Sequence, residues 1–205
     1  RVFEVDETVL KRTVGVGKVS RLDAIRYSLL GPVARASGVA IDARASERYD
    51  AYGELNFNVI VNSEGDVWAR AMVRWDETLE AVRIARQVLE KLPSDGNPVP
   101  DERKLPRKFP AGEAYTRVEA PRGELTYYVV SDGKGPNPYR VKIRTPSFNN
   151  IVNSPFMFVG YSLADLPAIL ASLDPCISCM ERVTVIDVEK GARRSIALRD
   201  LAGGE

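Results

Sequence analysis

The chain has 205 residues, 44% of them hydrophobic, with 29 Lys and Arg against 28 Asp and Glu and a net charge of +1. That apolar content can build one sizeable core, while so even a charge balance gives no electrostatic footprint for nucleic acid or an anionic membrane surface, and no nucleic-acid partner is expected. There is no histidine, which excludes Ser-His-Asp and Cys-His catalysis within the chain and any histidine-ligated metal.

No run of about 18 apolar residues occurs, so no membrane-spanning helix is expected. The opening Arg1-Val2-Phe3-Glu4-Val5-Asp6 lacks the layout of a signal peptide and an initiating Met, and the chain is expected to be part of a longer polypeptide. Two cysteines are too few for a disulfide scaffold and suit a reducing cytoplasm.

In chain order, residues 6–14 read as a short helix closed by Gly15 and Gly17. From Ser20 to Arg35, Leu22, Ile25, Leu29 and Leu30 recur at helical spacing behind a Ser20/Asp23 capping signal, interrupted at Gly31-Pro32 and stopped at Gly38. Asp42, Arg44, Glu47 and Arg48 read as a solvated ion-paired face or a contact to a partner subunit. Leu55 to Val61 alternates and predicts a strand. A long helix is expected over 64–92, its core face carried by Val67, Ala71, Trp75, Leu79, Val82, Ala85, Val88, Leu89 and Leu92. So long an apolar stripe needs a covering partner, part of it outside this chain.

The segment 94–112, with Pro98, Pro100, Pro106 and Pro110, reads as a loop that wraps a surface or binds a partner. Strands then follow at 114–120, 125–131 and 139–145, the last two joined through Asp132-Gly133-Lys134-Gly135. A short helix over 162–173 delivers Asp174-Pro175-Cys176-Ile177-Ser178-Cys179, where Pro175 is expected to hold Asp174 extended. A strand is expected at 183–188. The fold class is therefore α+β: mainly helical, with a small antiparallel sheet. It divides into a helical part over 1–93, the loop 94–112, a hairpin and thiol-turn part over 113–182, and a C-terminal extension over 183–205.

The CxxC places two soft donors where one metal can be gripped by both. A thioredoxin-like redox pair would sit at a helix start after a strand, whereas here a helix precedes and a strand follows. A zinc knuckle would need a second ligand pair from elsewhere.

Asp174-Pro175-Cys176-x-x-Cys179 resembles the C-terminal metal motif of nickel–iron hydrogenase large subunits. Ala120-Pro121-Arg122-Gly123 and Thr145-Pro146-Ser147-Phe148-Asn149 resemble two more motifs of that family, in the same order. The resemblance is to the energy-converting, membrane-associated branch, the formate hydrogenlyase and Ech-type enzymes. Gly31-Pro32-x-x-Arg35-x-Ser37-Gly38, Arg122-Gly123-Glu124-Leu125 and Tyr139-Arg140-Val141-Lys142 also resemble the homologous 49-kDa-type subunit of respiratory complex I, which lacks the cysteines.

The resemblance implies a nickel held by four thiolates from two CxxC motifs, with an iron carrying cyanide and carbon monoxide. Cys176 would be a terminal nickel ligand and Cys179 a nickel–iron bridge. Arg122 would be the catalytic side chain over the open side of the metals, and Pro121, Thr145, Pro146 and Ser147 the pocket around the diatomic ligands. The chain holds one CxxC, so it would supply half of the ligands, bind none of the centre alone and be inactive by itself. Arg182 stands where other hydrogenases have histidine, as in the energy-converting branch. Maturation cleavage would fall between Arg182 and Val183, so the extension would be the tail of an unprocessed precursor or would mark a branch that keeps it. Implied partners are an iron–sulfur small subunit, membrane subunits and the missing N-terminal part of the same subunit, on the inner face of the cell membrane. The alternative is a complex-I-like, non-catalytic subunit of a quinone- or sulfur-reducing complex with a vestigial metal site.

Overall fold

Local signals start most of the helices. In the computed structural model, which describes residues 6–93, 109–180, 182–186, 191 and 193–197, Asp6 caps α1 (Glu7–Thr13), its carboxylate accepting from the Thr8 and Val9 N–H groups. Ser20 caps α2 (Arg21–Arg26), accepting from Asp23 N at 3.1 Å while its hydroxyl donates to the Asp23 carboxylate at 2.6 Å. The single helix expected over 20–35 is two. Ser28 and Gly31 take positive φ (52° and 59°), and α3 (Gly31–Arg35) restarts behind Pro32 in the first turn. Asp42 caps α4 (Ala43–Glu47).

Residues 55–61 form no strand. They run beside the long helix, whose side chains satisfy their backbone: Asn56 N donates to Gln87 Oε1 and Asn58 N to Glu80 Oε1, at 2.8 and 2.9 Å. An alternating pattern without a partner strand leaves those donors to be met by side chains.

The long helix is α5 (Val67–Lys91). Asp66 caps it, with Oδ1 accepting from Ala69 N at 2.7 Å and Oδ2 from Gly15 N at 2.8 Å. Removing the carboxylate in Asp66→Ala is expected to cost about 2 kcal/mol, one part a lost cap and the other a lost bond. The shift should appear in the urea midpoint, with Asp66→Asn retaining most of the stability.

The buried face of α5 differs from the expected one. It carries Val67, Ala69, Arg70, Val73, Glu80 and Ile84. Of the expected stripe Val67 is buried, but its middle and end lie on the opposite side: Trp75 is 60% exposed, Leu79 54%, Val82 48% and Leu89 71%. Small residues let α5 pack on α3, and the two charged residues are taken in because each is hydrogen-bonded. Arg70 donates to Ser172 Oγ, Gly65 O and Gly17 O at 2.8–2.9 Å. Burial, then the neighbouring Arg74, pushes its guanidinium down to about 10.

The main core gathers Val19, Ala24, Leu29, Val33, Ala34, Val39, Val67, Met157, Ile169 and Leu173, with Tyr27 stacked on Phe156. Leu29 and Leu30 are inside, whereas Leu22 and Ile25 of the same expected stripe are exposed.

Beside it lies an antiparallel sheet in the order β1 (Gly112–Ala120), β2 (Gly123–Ser131), β3 (Arg140–Arg144). The β1–β2 register closes at Ala120 opposite Gly123, leaving Pro121 and Arg122 at the corner. Pro146 starts α6 (Pro146–Val152), and a 3₁₀ turn at Leu163–Asp165 leads into α7 (Leu166–Ser172). A 3₁₀ turn at Ile177–Cys179 then passes to β4 (Arg182–Ile186), which pairs antiparallel with β5 (Arg193–Ala197). The strand expected at 183–188 is thus, over 183–186, one arm of a two-stranded ladder, with 187 and 188 outside the described residues. Residues 94–108 of the expected loop lie outside the described residues. Among the described residues no helix is long and apolar enough to cross a membrane.

Candidate functional site

Three separate segments converge: the β1–β2 corner, the start of α6 and the thiol turn after α7. The corner is set by backbone contact. A Cβ on Gly31 would lie 2.3 Å from Arg122 O and 2.6 Å from the Gly123 Cα, so only glycine lets α3 seat this close to the corner. The start of α6 is tied to the same place by Asn150, which is buried and clamps both backbone groups of Leu30 at 2.9 and 3.2 Å. The thiol turn is tied to α5 through the Arg70–Ser172 bond.

Arg122 reaches the turn. Its Nε donates to Asp174 O at 2.9 Å and its Nη2 to Asp174 Oδ1 at 3.1 Å. Asp174 is not extended as expected: its φ is 51°, in the left-handed region that side chains avoid. The Arg122 bonds and the bond from Asp174 N to Ala171 O at 2.9 Å hold it there against the usual preference before proline. Nothing in the Ala120-Pro121-Arg122-Gly123 motif announced Asp174 as the partner of Arg122.

Thr145 Oγ1 donates to Cys179 O at 2.9 Å, and the buried Ser147 Oγ accepts from Cys176 N at 3.3 Å. Pro146 is buried in the first turn of α6, which fixes Ser147 beneath the turn. Cys176 Sγ lies 3.0 Å from Ser178 Oγ, and both thiols are free and partly buried. The bond from Ser178, then those from Cys179, with Arg122 adding to them, bring the Cys176 thiol down to about 7. Burial, then the bond and charge of Cys176, push the Cys179 thiol up, against a bond from the Ser147 hydroxyl. The site therefore presents one thiolate-prone and one protonated sulfur under a guanidinium. Such a pair can hold one soft metal ion jointly or cycle between dithiol and disulfide.

The structure thus brings together Arg122, Thr145, Pro146, Ser147, Cys176 and Cys179. Pro121 stands beside them, lining a cavity of about 430 Å³ against α5. Arg182 and Val183 sit in β4, opposite Ala197 and Ile196, so the bond expected to be cleaved lies within a two-stranded ladder. Among the described residues no cluster of three or more Cys, His, Asp or Glu could hold a metal.

Behind the corner is a buried charge network that composition did not announce. Arg35, 1% exposed, donates to Glu77 Oε1 at 2.6 Å, Glu119 Oε1 at 2.8 Å and Ile41 O at 2.7 Å, and lies 3.8 Å from Asp42. Burial works against its charge, but Glu119 and Glu77 outweigh it and hold its pKa above the ordinary value. Asp42 is itself buried and bound twice by Arg44, so the expected solvated face is partly an interior one. Arg74 lines the same cavity. Its Nη1 donates to Arg70 O at 3.0 Å, while its Nε and Nη2 are buried without an acceptor among the described residues.

A small sheet on a helical scaffold thus carries an arginine to the turn that holds two free thiols. The family model for the respiratory-chain NADH dehydrogenase 49 Kd subunit matches residues 1–108 and 106–182, and the chain belongs to that family. It is 41% identical over 184 residues to the carbon monoxide-induced hydrogenase of Rhodospirillum rubrum, covering 88% of this chain and 49% of that one. Against an NADH-quinone oxidoreductase subunit of Roseiflexus sp. (strain RS-1) it is 41% identical over 180 residues, covering 85% and 48%. A solved structure of the membrane-bound sulfane sulfur reductase, an archaeal respiratory membrane complex, aligns with a TM-score of 0.77 at 42% identity, covering 85% and 48%. The chain therefore spans about half the length of the relatives it matches. These relatives are oxidoreductase subunits and a respiratory membrane complex.

Proposed function

We propose that this chain is part of the catalytic large subunit of an energy-converting nickel–iron hydrogenase, interconverting protons and electrons with dihydrogen. The observation that carries the reading is the free pair Cys176 and Cys179 under Arg122, on a chain 41% identical to a hydrogenase. The donors fit half of a four-thiolate centre: two neighbouring soft sulfurs, with the remaining two to come from the half of the subunit not spanned here. Cys176 and Cys179 would be two of the thiolates that hold the centre, and that centre, with its cyanide and carbon monoxide ligands, would supply the redox chemistry of dihydrogen.

The chain's own residues do the rest. Arg122 keeps a fixed positive charge beside the sulfurs because Asp174 holds two of its nitrogens. Ser147 and Thr145 fix the turn from below. Pro121 and Pro146 present apolar surface without donors. Electrons would come from an iron–sulfur partner, with membrane subunits holding the assembly on the inner face of the cell membrane.

A second reading rests on the likeness to the sulfane sulfur reductase and to the NADH-quinone oxidoreductase relative. There the same thiol pair belongs to a quinone- or sulfur-reducing complex without nickel. Elemental analysis of the complete subunit from its host separates them. The hydrogenase reading expects nickel near one atom per subunit, lost in both Cys176→Ser and Cys179→Ser, with hydrogen-dependent viologen reduction lost in parallel. Nickel-free protein that reduces sulfane sulfur or quinone would overturn it.

A further inference from the structure

The cavity beside the corner has a feature that the thiol site does not use. Its walls include Arg35, Arg44, Arg74, Glu77, Glu119 and Pro121. Arg35 and Arg44 are engaged by carboxylates, whereas among the described residues Arg74 is bound only through Nη1, to a neutral carbonyl. The orphaned Nε and Nη2 form one edge of the guanidinium, the pair of parallel N–H groups that takes a carboxylate side-on. Buried donors left without an acceptor are costly, and a charged group more so. Burial lowers the pKa of Arg74; Asp174 and Glu77 raise it, and Arg122 and Arg35 lower it further. None of these neighbours hydrogen-bonds the free edge.

A second observation lies on the same helix. Arg74 and Thr78, both lining the cavity, flank the exposed stripe of Trp75, Leu79, Val82 and Leu89, which runs along the side of α5 opposite its buried face. A helix with apolar stripes on two opposite sides is built to be covered on both. Among the described residues one of them is covered, and the chain spans about half the length of its relatives.

We propose that the Arg74 edge is a carboxylate-binding site. Its occupant is an Asp or Glu side chain borne by the half of the subunit not spanned here, on a segment that also covers the Trp75–Leu89 stripe. The arginine then fixes the register of that segment against α5, beside the cavity that Pro121 of the corner also lines. This holds whether or not the thiols carry nickel.

The test places one substitution in two settings, this 205-residue chain and the complete subunit from its host. Arg74→Leu removes a guanidinium whose Nε/Nη2 edge has no acceptor among the described residues, at the loss of one bond to the Arg70 carbonyl, so the melting temperature of the short chain holds or rises by about 2–4 °C. In the complete subunit it strips a buried carboxylate of its partner, and the melting temperature falls by several degrees. Arg74→Lys restores only part of that loss, because an ammonium cannot donate side-on. Leu79→Ser and Leu89→Ser behave alike: neutral in the short chain, destabilising in the complete subunit.

A fall of equal size in both settings would overturn the proposal, because Arg74 would then act within this chain. Acetate titrated into the short chain, followed at the Arg74 Nε–H resonance, separates the sources. A shift with acetate, together with an unchanged complete subunit in Arg74→Leu, would mean a free carboxylate and overturn the polypeptide source. Nickel content is read separately, so failure here and failure of the hydrogenase reading are distinguishable.

Discussion

Replacing Arg35 by methionine is expected to destabilise the chain by about 3–5 kcal/mol, the range found when one partner of a buried ion pair is removed. The effect is large because a single guanidinium serves Glu77, Glu119, Asp42 and the Ile41 carbonyl, and joins α3 to α5 and β1. Methionine fills most of the volume and leaves the carboxylates facing one another. At about 2–4 °C per kcal/mol for a chain of this size, the melting temperature should drop on the order of 10 °C.

The deficit should depend on pH in a definite direction. Burial already holds the Glu119 carboxyl above the ordinary glutamate range, with Arg35 opposing it. Without Arg35 that folded-state pKa rises further, so ionising Glu119 costs stability as pH climbs through it. The gap between Arg35→Met and the parent should therefore be smallest below the ordinary glutamate range and widen toward neutral pH. Arg35→Lys should fall between them, since one ammonium cannot reach all the acceptors. Thermal melts across pH check this; a methionine variant within about 1 kcal/mol of the parent would mean the network is not cooperative.

Gly31→Ala is the second large expected effect. The new Cβ meets backbone atoms only, Arg122 O, Arg122 C and Gly123 Cα at 2.3–2.6 Å, and no side-chain rotation relieves it. The residue also has φ of 59°. A left-handed alanine costs about 1–2 kcal/mol and overpacking about 1–3, which together give roughly 2–5 kcal/mol. Gly123→Ala meets the same contact from the other side, with its Cβ 2.6 Å from Gly31 N. Gly15→Ala is the control, since its φ is 74° but nothing lies within 4 Å, so only conformational strain remains.

Denaturant midpoints should order the three, with Gly31 and Gly123 far below Gly15. Because the collision is with the carbonyl of Arg122, the corner must shift, and turnover of the complete subunit should fall on the order of 100-fold. Equal stabilities for Gly31→Ala and Gly15→Ala would show that the corner is free to move.

Much of the fold was legible. The short helix after residue 6, the cap at Ser20, the three strands of the sheet and the helix ahead of the thiols follow from local signals that tertiary contacts did not overrule. The failures share a cause. Leu55 to Val61 has a strand's alternation but finds side chains of α5 in place of a partner strand. On α5 the apolar stripe pointed to one face and the core took the other, because Arg70 and Glu80 become buriable once each nitrogen or oxygen has a partner, which hydrophobicity does not register. The convergence of Arg122 and Ser147 on Cys176 and Cys179 was legible only through motif likeness. No periodicity links a hairpin corner to a turn many residues later. Asp174, Arg35 and Arg74 were invisible as partners, since a charged residue in a charged chain reads as surface until packing is known.

Among the described residues the sheet is fastened to the helices at one end. Its corner is wedged against α3, while the opposite end, around Asp132 to Tyr139, stands in solvent with Tyr139 76% exposed. A three-stranded ribbon clamped this way behaves as a cantilever. Residues can be gained or lost at its free tip over evolutionary time, or a reporter group grafted there, while the guanidinium at the root keeps its aim.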